Sequence, residues 1–286
     1  MPNGTLTQAI DALASRRDLS ADETAAVLSE IMHGEVSETQ IAGFLVALRT
    51  KGETVDELTG LARIDLDPHG VAECIEQAGF GFMFAPAHHQ ATRFVVPVRR
   101  ELAVRTIFNM LGPLTNPAGA RRQLIGVSDA GFLGTIAGAL ARLGVEHALV
   151  VAGEDGLDEL STAAATKVVE VQGAEISRYT VAPQEVGVEA AEAADFERDC
   201  GGGEPADNAQ LTRAILAGET SSMGRPGAGE LAVLNAGAAI YAGGGADSIA
   251  DGVEAARAAI ADGRAAAALD RFVQASASLA PEGAGG

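Results

Sequence analysis

From Gln123 onward the sequence alternates between short apolar runs and helical periodicity. Leu124 to Val127 is a short strand, Phe132 to Leu143 a helix rich in alanine and glycine that stops at Gly144, and His147 to Ala152 a second strand. Strands alternating with helices predict an α/β fold with a mainly parallel sheet flanked by helices, its ligands at the carboxyl ends of the strands. Lys167 to Val171 and Ile176 to Val181, joined near Gly173, read as a hairpin inserted in that scheme. The acidic, glycine-rich region from Val186 to Asp207 reads as loop with a short helix. Helices follow over Asn208–Leu216, Glu230–Tyr241, Ile249–Ile260 and Ala265–Val273. The closing ASASLAPEGAGG has small residues and no large apolar groups beyond one leucine, so residues 275–286 are expected to be a disordered tail.

The amino-terminal part reads differently. Ser20 with Glu23, Ser37 with Gln40 and Thr54 with Glu57 are capping-box spacings, each ahead of an apolar-periodic run. Ile41, Phe44, Leu45 and Leu48 fall on one helical face, and Gly34 and Gly52 mark stops. About four short helices make residues 1–63 a smaller all-helical domain, by the usual lengths of such elements. Residues 64–274 are expected to form the α/β domain. Asp67-Pro68 starts a helix with Val71, Cys74, Ile75 and Ala78 on its apolar face. It stops at Gly79, and Phe80 to Phe84 reads as a buried strand.

Charge narrows the function classes. The formal net charge is -19, and Lys51 and Lys167 are the only lysines. Such a surface repels nucleic acid. Any anionic substrate must then be met by local arginines, backbone N–H groups or a metal ion. Cys74 and Cys200 are too isolated for a disulfide framework or a thiolate metal site. The start MPNGTLTQAIDAL lacks the basic and apolar segments of a signal peptide, and no run approaches membrane-spanning length. A soluble cytoplasmic protein is expected.

Two stretches carry chemistry. Asp158 and Glu159, in GLDELS just after a strand, can hold Mg²⁺ through one or two oxygens, leaving positions for water and phosphate. In a chain with 39 acidic residues, the same pair also reads as a solvated loop. Arg99, Arg100 and Arg105 lie among Val96, Val98, Leu102, Ile107 and Phe108. A guanidinium held against that apolar surface would clamp a carboxylate or phosphate, whereas an amphipathic helix would leave the arginines in solvent. The glycine runs at Gly201–Gly203 and Gly243–Gly245 follow no clear strand and read as turns.

FMFAPAHH, followed by VRRELAVRTIFNMLGPLTNP, resembles the anthranilate phosphoribosyltransferases of tryptophan biosynthesis, and so do GLDE, VLNAGAAIYAGG and DNAQLTRAILAGE. The resemblance runs from Leu6 to about Val273. It implies transfer of the 5-phosphoribosyl group from phosphoribosyl pyrophosphate to anthranilate by a Mg²⁺-dependent enzyme, a homodimer through its amino-terminal helices. Residue by residue, Arg99 matches the arginine that binds the anthranilate carboxylate. His89 matches a histidine of the anthranilate channel, Ala85 and Pro86 its small apolar contacts, and Gly112 a backbone contact. Asp158 and Glu159 match the metal acids; no residue matches a catalytic acid or base. Gln90 and Ala103 depart from the pattern, which usually has proline and glycine there. The larger departure falls between Ala62 and Ile64, where the G-T-G-G-D phosphate loop and K-H-G-N segment of the pattern are missing. Backbone N–H groups of such a loop cradle pyrophosphate, so impaired catalysis is expected. Two other functions stay open: a non-catalytic aromatic-carboxylate-binding or scaffold protein, and a pyrimidine nucleoside phosphorylase-like enzyme.

Overall fold

The structure is a computed structural model that describes residues 2–34, 36–61, 69–82, 92–102, 114 and 119–279. Its helices are α1 (Gly4–Ala14), α2 (Ala21–His33), α3 (Glu38–Lys51), α4 (Val55–Leu61), α5 (His69–Ala78), α6 (Thr92–Leu102) and α7 (Leu133–Arg142), then α8 (Ala193–Cys200), α9 (Pro205–Ala217), α10 (Pro226–Gly243), α11 (Ile249–Ala261) and α12 (Arg264–Leu279). The strands are β1 (Arg122–Gly126), β2 (His147–Gly153), β3 (Thr166–Gln172) and β4 (Glu175–Val181). The chain divides into two compact units. One holds α1–α4, α6 and α7 from Gly134; the other holds α5, the sheet and α8–α12.

In the first unit the local signals act as their spacing predicts. Ser20 and Glu23 bond reciprocally across the start of α2, with Ser20 N donating to Glu23 at 2.8 Å. Thr54 and Glu57 do the same for α4. Each such cap stabilises its helix by about 1 kcal/mol. Gly34 ends α2 in the left-handed conformation, at φ 73°. Gln40 breaks the pattern: its side chain bonds the Asn3 backbone at both N–H and C=O, so it ties down the start of α1 rather than its own helix. Leu6, Leu13, Leu28, Ile31, Ile41, Phe44, Leu45, Leu48 and Leu58 form the buried core of this unit. Gly138 of α7 faces Val55 so closely that a methyl there would stand 2.9 Å from a Val55 methyl.

In the second unit β1 pairs parallel with β2, and β2, β3 and β4 pair antiparallel in sequence order. The expected mainly parallel sheet therefore holds for the first pair, while the sheet of the described residues is mixed. The reason is connection length. Only a tight turn, with Gly173 at φ 59°, joins β3 to β4, and such a turn returns the chain antiparallel. Every residue of β2 is buried. Leu149, Val151 and Val168 of the sheet pack with Val233, Leu234 and Val253 of α10 and α11 into one core. The two helices meet at Gly237 and Gly252; a methyl on Gly237 would stand 2.6 Å from the Val253 nitrogen, so neither position has room for a side chain.

Two expectations fail here. Phe80 and Phe82, from the expected buried strand, lie in coil and are 47% and 64% exposed. Phe80 instead sets its ring edge-on against Phe272 of α12, at 4.8 Å. A five-residue apolar run cannot by itself say whether a strand partner exists. Residues 275–279, expected in the tail, are helical instead as the end of α12. Alanine favours helix strongly, Ala275 is buried, and the Ser276 and Ser278 hydroxyls turn back onto helix carbonyls. Residues 280–286 lie outside the described set.

A polar cluster sits within the sheet core. Glu170 of β3 is 7% exposed, and its Oε1 lies 2.7 Å from His147 Nε2 of β2 and accepts from Tyr241 of α10 at 2.7 Å. Gln172 donates to the same oxygen at 2.9 Å. Burial alone pushes the Glu170 carboxyl up, yet hydrogen bonds from Tyr241, His147 and Tyr179 outweigh it and hold the group below its ordinary value. Burial, then the Glu170 bond and charge, push Tyr241 up to about 12. A carboxyl lowered by folding stabilises the protein fully above its ordinary value of 4.5, and that stability is lost as pH falls through the lower folded value. Urea melts should therefore show the parent losing stability more steeply than Glu170→Gln as pH falls from 4.5 to the lower folded value. Parallel pH profiles would refute the assignment.

Candidate functional site

The described candidate site is the loop after β2, at the carboxyl edge shared by parallel β1 and β2. Its backbone is tethered at every turn. Gly153 N donates to Leu157 O at 2.9 Å, and Glu154 N to Ala165 O at 2.9 Å. Asp155 accepts from Leu157 N at 3.2 Å and from the Ser161 hydroxyl at 2.6 Å, so this carboxylate holds the loop rather than facing a ligand. The Ser161 oxygen then accepts from Ala163 N and Ala164 N, and Ser161 N donates to Thr166 at 3.0 Å. Leu160 drives its side chain into the core, 1% exposed, while both of its peptide groups bond Asn235 of α10. At the end of β1, Gly126 lies directly under the Asp158 carbonyl; a Cβ there would overlap it. Glycine is required at that position because the loop crosses the strand end at backbone contact.

Between these tethers Asp158 and Glu159 stay exposed. Neither meets a lysine or arginine within ion-pair distance among the described residues. Partial burial, then the neighbouring Asp158 charge, push the Glu159 carboxyl up. On the other side, burial and then Asp199 and Glu159 push up the Cys200 thiol at the end of α8. Two adjacent carboxylates with unrelieved repulsion are a fitting donor set for a hard divalent cation. No group of three or more potential ligands occurs among the described residues, so those residues offer only part of a coordination shell. That suits Mg²⁺, which keeps waters and takes substrate phosphates, better than a cation enclosed wholly by protein.

The other expected site residues are placed less fully. Arg99 belongs to α6, whose Val95 and Val98 are buried and whose Arg100 is exposed; of the Arg99 side chain nothing is described. His89, Ala85, Pro86 and Gly112 lie outside the described residues, as do Arg105 and the Ala62–Ile64 junction. The structure thus assembles the Asp158–Glu159 pair and its supports. Gly126 and Asn235 were not legible as supports, because their partners are set by the fold, whereas the Asp155–Leu157 turn and the Ser161 bonds to Ala163, Ala164 and Thr166 are local in sequence.

The helical bundle domain of the glycosyl transferase family matches residues 7–66, and the a/b domain of that family matches residues 46–266. Anthranilate phosphoribosyltransferase of Rubrobacter xylanophilus is 38% identical over 349 residues, covering 98% of this chain and 100% of its own. The crystal structure of anthranilate phosphoribosyltransferase from Thermus thermophilus superposes with TM-score 0.84 at 33% identity, over 94% of this chain and 99% of that one. The Saccharomyces cerevisiae enzyme in complex with phosphoribosyl pyrophosphate and Mg shares the fold, with TM-score 0.80 at 20% identity over 96% and 98% of the two chains. The chain belongs to the anthranilate phosphoribosyltransferase family.

Proposed function

We propose that this protein transfers the 5-phosphoribosyl group from phosphoribosyl pyrophosphate to anthranilate, with Asp158 and Glu159 as the metal acids and with turnover impaired by the missing donor loop. The observation that carries the reading is the tethered carboxylate pair at the strand ends, which meets no lysine or arginine within ion-pair distance among the described residues, in a chain of this family. The reaction displaces pyrophosphate from C1 of the ribose by the anthranilate amine. Bound Mg²⁺ would neutralise charge on the departing pyrophosphate. Asp158 and Glu159 would hold that cation, on a loop whose backbone cannot shift without breaking the Gly153–Leu157 and Leu160–Asn235 bonds. Arg99 fixes the anthranilate carboxylate, and His89, Ala85, Pro86 and Gly112 line its channel. Orientation of this kind is worth several kcal/mol of a bimolecular barrier.

The loss of the donor loop is supported by alignment length. The match to the Rubrobacter relative spans 349 residues, more than the 286 of this chain, so it passes over residues that this chain lacks. A homodimer through α1–α4 and a cytoplasmic location accompany the reading; among the described residues no helix is long and apolar enough to cross a membrane. The relatives reported above all carry the phosphoribosyltransferase name, which favours transfer over nucleoside phosphorolysis.

The test is the decay of anthranilate fluorescence when phosphoribosyl pyrophosphate and Mg²⁺ are added to purified protein. A slow, Mg²⁺-dependent decay is expected, and Asp158→Asn with Glu159→Gln should abolish it. A decay unchanged in that double variant would remove the carboxylates from the mechanism.

A further inference from the structure

We propose that Asn235 is the positioning residue of the Asp158–Glu159 pair, acting through the Leu160 backbone; the proposal rests on the metal-site reading above. Asn235 lies on α10, 75 residues from the loop, and its side-chain amide meets Leu160 as a second strand would. Its Oδ1 accepts from Leu160 N at 2.9 Å, and its Nδ2 donates to Leu160 O at 2.9 Å. The same Nδ2 donates to Leu231 O at 3.1 Å, which fixes the amide plane on its own helix. This two-bond clamp satisfies both peptide groups of the residue that follows Glu159. Among the described residues neither group has a backbone partner, so without Asn235 the clamp is lost at that point.

The geometry gives the clamp a consequence for charge. On one side of the pair, the Asp158 carbonyl rests on Gly126, which admits no displacement toward the strand. On the other side, the Leu160 side chain is buried in the core. Asn235 sets the remaining freedom, rotation of the Glu159–Leu160 peptide, and hence the direction of the Glu159 carboxylate relative to Asp158. Two like charges held in one orientation bind a cation without first losing conformational entropy; released, they turn apart. Supports of metal ligands typically account for about 10–100-fold in affinity.

The test uses Mn²⁺ alone as the probe, with the bound ion measured by electron paramagnetic resonance, no donor or acceptor being present. Asn235→Ala and the near-isosteric Asn235→Leu should each raise the Mn²⁺ dissociation constant about tenfold. Folding is monitored by far-ultraviolet circular dichroism. Parent-like Mn²⁺ affinity in either folded variant overturns the proposal. If the parent binds Mn²⁺ no better than the Asp158→Asn, Glu159→Gln variant, the metal-site reading itself fails, and this proposal with it. A measurement on the unaltered protein covers the case in which neither variant folds. The Leu160 amide should exchange its proton as slowly as the neighbouring sheet, and fast exchange there would refute the clamp.

Discussion

Assayed beside the Rubrobacter xylanophilus relative under the same conditions, the protein is expected to consume anthranilate more slowly by a factor on the order of 10³ or more. Removing a single preorganised donor to developing charge typically costs about 10²–10³ in rate, and a phosphate loop supplies several such donors. The glycine runs do not replace them. Gly201 N and Gly203 N already donate, to Glu197 O and to Asn208 Oδ1. Gly244 N and Gly245 N close α10 onto Tyr241 O and Ile240 O. Donors committed to helix ends cannot turn toward a pyrophosphate without dismantling those ends. Retained anthranilate binding with this deficit is the expected pair of results. A turnover within tenfold of the relative's would mean that another part of the chain grips the donor, and the reading of an impaired enzyme would be withdrawn.

Glu57→Ala is expected to destabilise the protein by about 3–5 kcal/mol, the usual loss when one partner of a buried, hydrogen-bonded ion pair is removed. Glu57 is fully buried. It accepts from Leu19 N at 2.9 Å, from Thr54 N at 2.9 Å and from the Thr54 hydroxyl at 3.0 Å, and it pairs with Lys51 at 3.1 Å. The Lys51 side chain is itself 4% exposed, and also reaches Asp18 at 2.7 Å and Gly52 O at 2.7 Å. Burial pulls the Lys51 amine down, but the bonds to Asp18 and Glu57 outweigh it and hold it above its ordinary value. Alanine at 57 would orphan two backbone amides and leave a buried cation with exposed Asp18 as its one charged partner. Lys51→Met should cost less, since Glu57 keeps its amide bonds. Urea unfolding of the two variants decides the matter; a Glu57→Ala loss under about 1 kcal/mol would show that the pair is not integral to the helical unit.

The sequence was most informative where structure is encoded within a few residues. The Ser20 and Thr54 caps, the glycine stop at Gly34 and the hairpin at Gly173 depend on side chains and backbone at most five positions apart, and each lies where its spacing places it. The loop bearing Asp158 and Glu159 was legible for a related reason: it follows a seven-residue apolar strand, and such strands deliver acids to an edge. Phe80 to Phe82 was not legible as coil, because an apolar run looks alike whether a neighbouring strand or the edge of another ring covers it.

What the sequence by itself determined was most of the elements, the acids and the family resemblance, since these reside in local periodicity and short motifs. The tertiary structure alone decided that Asn235 clamps Leu160, that Glu57 receives Leu19 from 38 residues away, and that Tyr179 and Tyr241 converge on Glu170. Each of those pairs a polar group with a partner distant in sequence. Burial removes the water that would otherwise satisfy such groups, so the packed chain must supply the partner, and only the packing says which one is near.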